Sequence, residues 1–404
     1  MNNPKKNSKA KDTLLVIGNG FDLHLGLKTS YNDFFNWTIG KDEDDIPSHR
    51  KKARKNYLSF NAFYKAVKNQ KGKSADEAMS RFTSEVHAPF WLLLFWLLRK
   101  ETKRGSDIAW HKIEGVMTAT VSPEGYEGFH WKKVYQFSKA IKKGDQITYD
   151  SIAAILAGIY CHLETGDIPV GYIDDGTYKS FARYFLRPHL YRFEKLFGRY
   201  ITTVQLVNYD DYLEKAGLLI AQIVGERKGS YRKAPEKVYI DSFNYLDLSG
   251  WSLTSNSKGF TYIHGNSVSP IFGVARPNNP DDEAVCFTKA FLRPDPLCPA
   301  QEAPDEGRNI KEVHIYGHSL SKVDSPYFEA LFEMMGLYDP SLCQHKKIYI
   351  DFSDVPGEDP KKAFEKRLSR LNRYLTYASQ RSGHLFPDIE ELMDRGIVVF
   401  RKLP

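Results

Sequence analysis

Four stretches of this chain deliver small and polar residues directly after apolar runs, and each carries side chains capable of chemistry. Leu14-Leu-Val-Ile17 runs into Gly18-Asn19-Gly20-Phe21-Asp22. Glycines at 18 and 20 let a backbone approach a ligand closely, and the amides of a helix starting there would face a phosphate. Asp22 suits a ribose hydroxyl or the cap of that helix. Phe260-Thr-Tyr-Ile-His264 leads to Gly265. Histidine titrates near neutrality and the glycine admits a ligand, so His264 reads as a general base or as a structural histidine bonded at a turn. Lys237-Val-Tyr-Ile-Asp-Ser-Phe243 leads to Asn244 and Tyr245. Asn244 fits a strand-end turn or a ligand contact, and Tyr245 a base stack or core packing. Val313-His-Ile-Tyr316 leads to Gly317-His-Ser319 and on to Asp324. Ser319 and Asp324 read as ligand-contacting or helix-capping residues. The G-x-S here resembles the nucleophile elbow of α/β-hydrolases, but the fifth position is Ser321 and not glycine, so a tight elbow is not supported. Away from these ends, Glu114 on a helical stretch beside Trp110 is either an acid or base reaching a cleft or part of a solvated face.

Such residues need a frame that brings them to one place. Strands are expected at 13–17, 237–243, 260–264, 271–274, 313–316, 347–351 and 397–400, bounded by Gly, Asn and Pro. Helical spacing marks 81–100, 148–162, 208–224, 325–336 and 361–378. Strands alternating with helices at both ends of the chain argue for an α/β fold with a mostly parallel, Rossmann-like sheet. In such a sheet, ligands bind beyond the carboxyl ends of the strands, where the strand order reverses. The expected organisation is a disordered 1–11, a nucleotide-binding domain from 12–40 and 231–404, and a mainly helical insertion or cap over 41–230.

The run from Gly20 to Tyr31, Gly-Phe-Asp-Leu-His-Leu-Gly-Leu-Lys-Thr-Ser-Tyr, resembles the opening motif of the AbiH family of bacteriophage abortive-infection proteins. In that family N-G-F-D, G-L and T-S-Y follow in this order. Asp107-Ile-Ala-Trp-His-Lys-Ile-Glu114 resembles its W-x-x-x-E element. More distantly, the four strand ends are similar to the G-A-G, N-x-D, H-G and G-x-S set of SIR2-like NAD-binding domains. Asp22 stands where that pattern has Ser, Lys28 where it often has Pro, and Asp247 one place later than its Asp. The resemblance implies a phage-defence protein with a SIR2- or DHS-like nucleotide site for NAD or a related nucleotide. It gives His264 the task of activating a ribose hydroxyl and Asn244 that of orienting the nicotinamide ribose. Whether such a site hydrolyses its ligand, as an NAD glycohydrolase would, or only binds it stays open at this point. A phage-derived trigger is the other partner it implies.

Composition sets outer limits. With 42% apolar and 14% aromatic residues the chain has material for a large core. The net charge of +7 is modest, and a basic run at 49–55 carries the alternative of a nucleic-acid-acting effector or sensor, though a solvated loop is favoured there. The dinucleotide fingerprint G-x-G-x-x-G fails at Leu23, and no P-loop, H-E-x-x-H or metal-ligand spacing is present. Four cysteines without a C-x-x-C, a polar N-terminus and a longest apolar run over 90–98 lead to the expectation of a cytoplasmic protein with reduced thiols and no membrane span. Nothing in the sequence sets an oligomeric state.

Overall fold

The computed structural model describes residues 12–39, 89–92, 94–95, 113–114, 117–118, 121, 186–207, 209–225, 238–248, 259–274, 285, 287–289, 310–353, 359–383 and 385–403. The expected disorder at 1–11, the basic run at 49–55, the helix at 148–162 and most of the helix at 81–100 lie outside them. The chain divides into two compact units. The first takes Met1–Thr29, Ile201–Val268 and Pro294–Pro404, and the second takes Ser30–Tyr200 and Ser269–Arg293.

The first unit is built on six parallel strands: β1 (Asp12–Ile17), β2 (Val238–Ser242), β3 (Gly259–Tyr262), β4 (Ile310–Tyr316), β5 (Lys347–Phe352) and β6 (Val398–Lys402). Their spatial order is β3-β2-β1-β4-β5-β6, each pair parallel. The order reverses between β1 and β4. An α/β fold with a Rossmann-like sheet is therefore what the chain forms. Leu14 to Ile17 are all buried because β1 is central and covered on both faces, which is why it reads as an unbroken apolar run.

Helices cover both faces. Leu14, Val16, Val313, Ile315, Ile348 and Ile350 point to one side, against Phe328, Leu331 and Phe332 of α5 (Ser325–Met334) and Leu371 and Leu375 of α7 (Pro360–Ser382). Each fully buried side chain of this size contributes about 1.5–3 kcal/mol. Asp359 begins α7 by accepting a hydrogen bond from Lys361 N, and Gly383 ends it in the left-handed region. Between α5 and β5 lies α6 (Pro340–Cys343), and α8 (Ile389–Asp394) precedes β6. Across the opposite face, Asp351 of β5 receives Arg401 Nε at 2.6 Å and meets His314 Nδ1 at 2.8 Å. Arg401 also donates to the Ile223 carbonyl at the end of α4 (Tyr209–Ile223), so one guanidinium ties edge strand β6 to a covering helix.

Helix α4 lies in the sheet unit. The short α1 (Asn19–His24) lies there too. The second unit holds α2 (Tyr31–Ile39) and the first part of α3 (Arg187–Val207). Its core is aromatic: Phe34 packs edge-on against Phe193 and Phe197, and Phe95 against Tyr31 and Phe193. The apolar run 271–274, expected as a strand, serves this core instead. Phe272 places its ring 5.0 Å from those of Phe193 and Phe197, and its amide donates to buried Glu194. Among the described residues no helix is long and apolar enough to cross a membrane.

Candidate functional site

The four strand ends meet at the carboxyl edge of the sheet unit. At its centre is Asp324, in a 3-10 turn (Lys322–Asp324) before α5. It begins that helix without capping it through its side chain. Its buried carboxylate meets His264 Nε2 at 2.8 Å and accepts from Ser321 Oγ at 3.1 Å, and His318 Nε2 faces it at 3.3 Å. His318 Nδ1 accepts the Leu320 amide at 2.9 Å, so Nε2 carries its ring proton and faces Asp324. The Phe243 ring separates the imidazoles, 4.8 Å from His264 and 4.3 Å from His318.

His264 sits in the bend just after β3, where Gly265 takes a φ of 75° that suits glycine and turns the chain. Tyr245 lies 6.5 Å from the His264 ring in a tilted arrangement. The loop from Gly317 to Ser321 is held from several sides. Arg370 donates to the Ser319 carbonyl at 2.5 Å, and the Tyr374 hydroxyl donates to that of Ser321. Leu320 takes a positive φ of 49° there, a backbone strain that persists only where surrounding bonds over-determine it. Ser319 itself is exposed on this loop.

Asp22 lies in α1 and does not cap it; Gly18 holds the N-cap position. Its buried carboxyl accepts the Tyr212 hydroxyl of α4 at 2.7 Å. Burial pushes its pKa up to about 7, which the Tyr212 hydroxyl and the neighbouring Asn244 amide only partly offset. Asn244 follows β2, its backbone amide bonded to Ser242 Oγ. Both of its side-chain polar atoms are buried without a partner in hydrogen-bond geometry among the described residues, so its amide acts on Asp22 from outside that geometry. Asp247 is committed elsewhere, accepting the Tyr262 hydroxyl.

The glycine turn has a role that the sequence did not disclose. Gly18 N donates to the Tyr316 carbonyl at 3.0 Å and Gly20 N to the Gly317 carbonyl at 2.8 Å. A Cβ on Gly18 would meet His318 Cα at 2.6 Å, and one on Gly20 would meet Gly317 Cα at 2.7 Å. The close approach that glycine permits is therefore made to another backbone segment. Asn19 stands between the two, and Phe21 is fully buried, edge-on to Tyr316. Glu114 belongs to the second unit and pairs with Lys289 at 2.6 Å, both largely buried; a solvated face is not what it forms.

His318, Ser321 and Tyr212 are the polar residues that sequence reasoning missed. His318 lies inside the Gly317-His-Ser319 stretch, whose G-x-S pattern points to the serine rather than to the histidine. Tyr212 is 190 positions from its partner Asp22, a separation no local pattern spans. A smaller polar set, His24 and Tyr316 each 3.0 Å from Ser353 Oγ, was also unread. Among the described residues no group of three His, Cys, Asp or Glu is arranged to hold a metal ion.

The raised Asp22 has a consequence for stability. The fold prefers its protonated form, so its contribution is complete below the ordinary carboxylate value of 3.8 and is lost as pH rises through about 7. Asp22→Asn should therefore be more stable than wild type at pH 8 by a few kcal/mol, at about 1.4 kcal/mol per pKa unit, and close to it at pH 4. Urea midpoints at the two pH values read this directly. Glu194 of the second unit is raised to about 7 for the same reason, so the variant keeps part of the pH slope.

No curated protein and no solved structure matches the chain. A family model does match, over residues 14–339, a span that takes in all four strand ends and stops before β5. The chain belongs to the family described as Bacteriophage abortive infection AbiH, and its role is phage defence by abortive infection.

Proposed function

We propose that the carboxyl edge of the sheet unit is a SIR2-like nucleotide site that takes NAD or a related nucleotide and hydrolyses its glycosidic bond to nicotinamide. The observation that carries this reading is a carboxylate-oriented histidine, His264 on Asp324, at the same sheet edge as a buried Asn244 amide without a partner in hydrogen-bond geometry among the described residues and a carboxyl that is half neutral near pH 7. Asp324 fixes the protonated nitrogen of His264 as Nε2, which makes Nδ1 the basic one. That nitrogen would take a proton from water as its oxygen bonds to the ribose anomeric carbon. The bond from that carbon to nicotinamide breaks, and nicotinamide leaves neutral. Positive charge on the ribose at the transition state is stabilised by fixed polar groups, and the Asn244 amide is suited to the ribose hydroxyls. The amides of Gly18 and Gly20 serve the Tyr316 and Gly317 carbonyls, so the reading assigns them no phosphate.

Incubating the purified full chain with NAD should release nicotinamide, measured by chromatography, with or without lysate from phage-infected cells as trigger. His264→Ala and Asn244→Ala should each lower the rate by about 10²–10⁴-fold and weaken phage protection in step. Neither binding nor release under both conditions would sink the enzymatic reading. Loss of release with protection intact would instead favour a silent binding module that acts through partner proteins.

A further inference from the structure

Helix α7 carries seven lysines and arginines and a single glutamate between Pro360 and Ser382. The whole chain has a net charge of only +7. Its inner stripe of Ala363, Leu371, Tyr374, Leu375 and Ala378 is buried, while Lys361, Lys362, Lys366 and Arg373 are exposed. None of these four cations forms an ion pair among the described residues. Elsewhere the chain does pair such charges, Lys215 with Asp211 and Arg395 with Glu391, each four residues apart.

Helix stability does not explain this pattern. Lys361 and Lys362 stand in the first turn, where the helix dipole disfavours cations. Lys362, Lys366 and Arg370 follow at four-residue steps and Arg373 three later, so like charges stack on one stripe and repel by a few tenths of a kcal/mol per pair. The stripe spans roughly 16 Å at 1.5 Å per residue. Its middle lies beside the strand ends: Arg367 lies over the Phe352 ring at the end of β5, and Arg370 holds the Ser319 carbonyl after β4.

We propose that this stripe binds the phosphate backbone of a nucleic acid. Charges about 6 Å apart along the helix match a repeating phosphate chain, whose counterions they would release on binding. An anionic membrane fits less well, because no large apolar side chain of α7 is exposed that could enter the acyl boundary. The stripe adjoins the His264 site through Arg370, but Lys362, Lys366 and Arg373 are not part of that site, and the test does not depend on the site being active.

Binding of the full chain to fluorescein-labelled single-stranded and duplex 30-mers should be followed by anisotropy across NaCl concentrations. Wild type should bind at about 50 mM salt and lose affinity steeply by 200 mM. The triple variant Lys362→Gln, Lys366→Gln, Arg373→Gln should bind about 100-fold more weakly at low salt, with a log–log salt slope shallower by about 2–3. These side chains are exposed, and matching circular dichroism of the two proteins checks the fold. His264→Ala should bind like wild type. No wild-type binding at low salt, or an unchanged slope in the triple variant, overturns the proposal. So does retention on phosphatidylserine vesicles with none on nucleic acid.

Discussion

Replacing Asp324 with alanine is expected to destabilise the sheet unit by about 3–5 kcal/mol, the largest effect of any single side-chain removal at the candidate site. One buried carboxylate meets His264 and Ser321 and faces His318. Its loss strands the two hydrogen-bonded donors, His264 and Ser321, away from water, and each such group costs about 1–3 kcal/mol when left unmade, while His318 loses the charge it faces. Asp324→Asn keeps one acceptor oxygen and should cost less, about 1–3 kcal/mol. It also presents an amide NH2 to one of the two rings and forces that ring toward its other tautomer. Urea unfolding reads the first effect, and the ¹⁵N shifts of the histidine side chains read the second. An alanine variant within 1 kcal/mol of wild type would show that the carboxylate does not organise the site.

Gly317→Ala should be as damaging for a different reason. Gly317 takes a φ of 68°, and a Cβ there would lie 2.3 Å from Phe21 N and 2.7 Å from Gly20 C. Both obstacles are backbone, so no rotamer change relieves them. Left-handed strain of about 1–2 kcal/mol adds to overpacking of about 1–3 kcal/mol. The β1 and β4 turns would have to part, breaking the bond from Gly20 N to the Gly317 carbonyl. Gly26→Ala is the matched control, since Gly26 has a φ of 81° but nothing within 4 Å of a Cβ, so only the conformational cost remains. Thermal unfolding should separate the two variants by several degrees; equal melting temperatures would refute the interlock.

Much of this frame is written locally. Buried parallel strands are apolar runs, and β1, β4, β5 and β6 stand near where their residues put them. Asp359 and Gly383 punctuate α7 with a cap and a left-handed turn. What no window of sequence encodes is the use made of each signal. The run at 271–274 has strand composition, yet Phe272 is claimed by the Phe193 and Phe197 rings. The glycines at 18 and 20 looked like room for a ligand and are room for residues 317 and 318. At the candidate site, His264, Asn244, Asp22 and Asp324 stand out in the sequence because an α/β sheet presents polar residues at its strand ends. His318 stands at a strand end too, but its weight, like that of Tyr212, lies in a partner reached only after folding.

The position of β1 also sets a timetable. Both of its neighbours come late in the chain, β2 beginning at Val238 and β4 at Ile310. At about 5–20 residues per second of synthesis, Leu14 to Ile17 wait roughly 10–45 s before the first partner strand emerges. The interlocking turn at Gly317 arrives later still. During that interval the most apolar segment of the sheet has no edge to join, while much of the second unit is synthesised. Nascent chains should thus depend on a holding chaperone at the segment bearing β1, and the candidate site cannot assemble until the segment bearing β4 has been made.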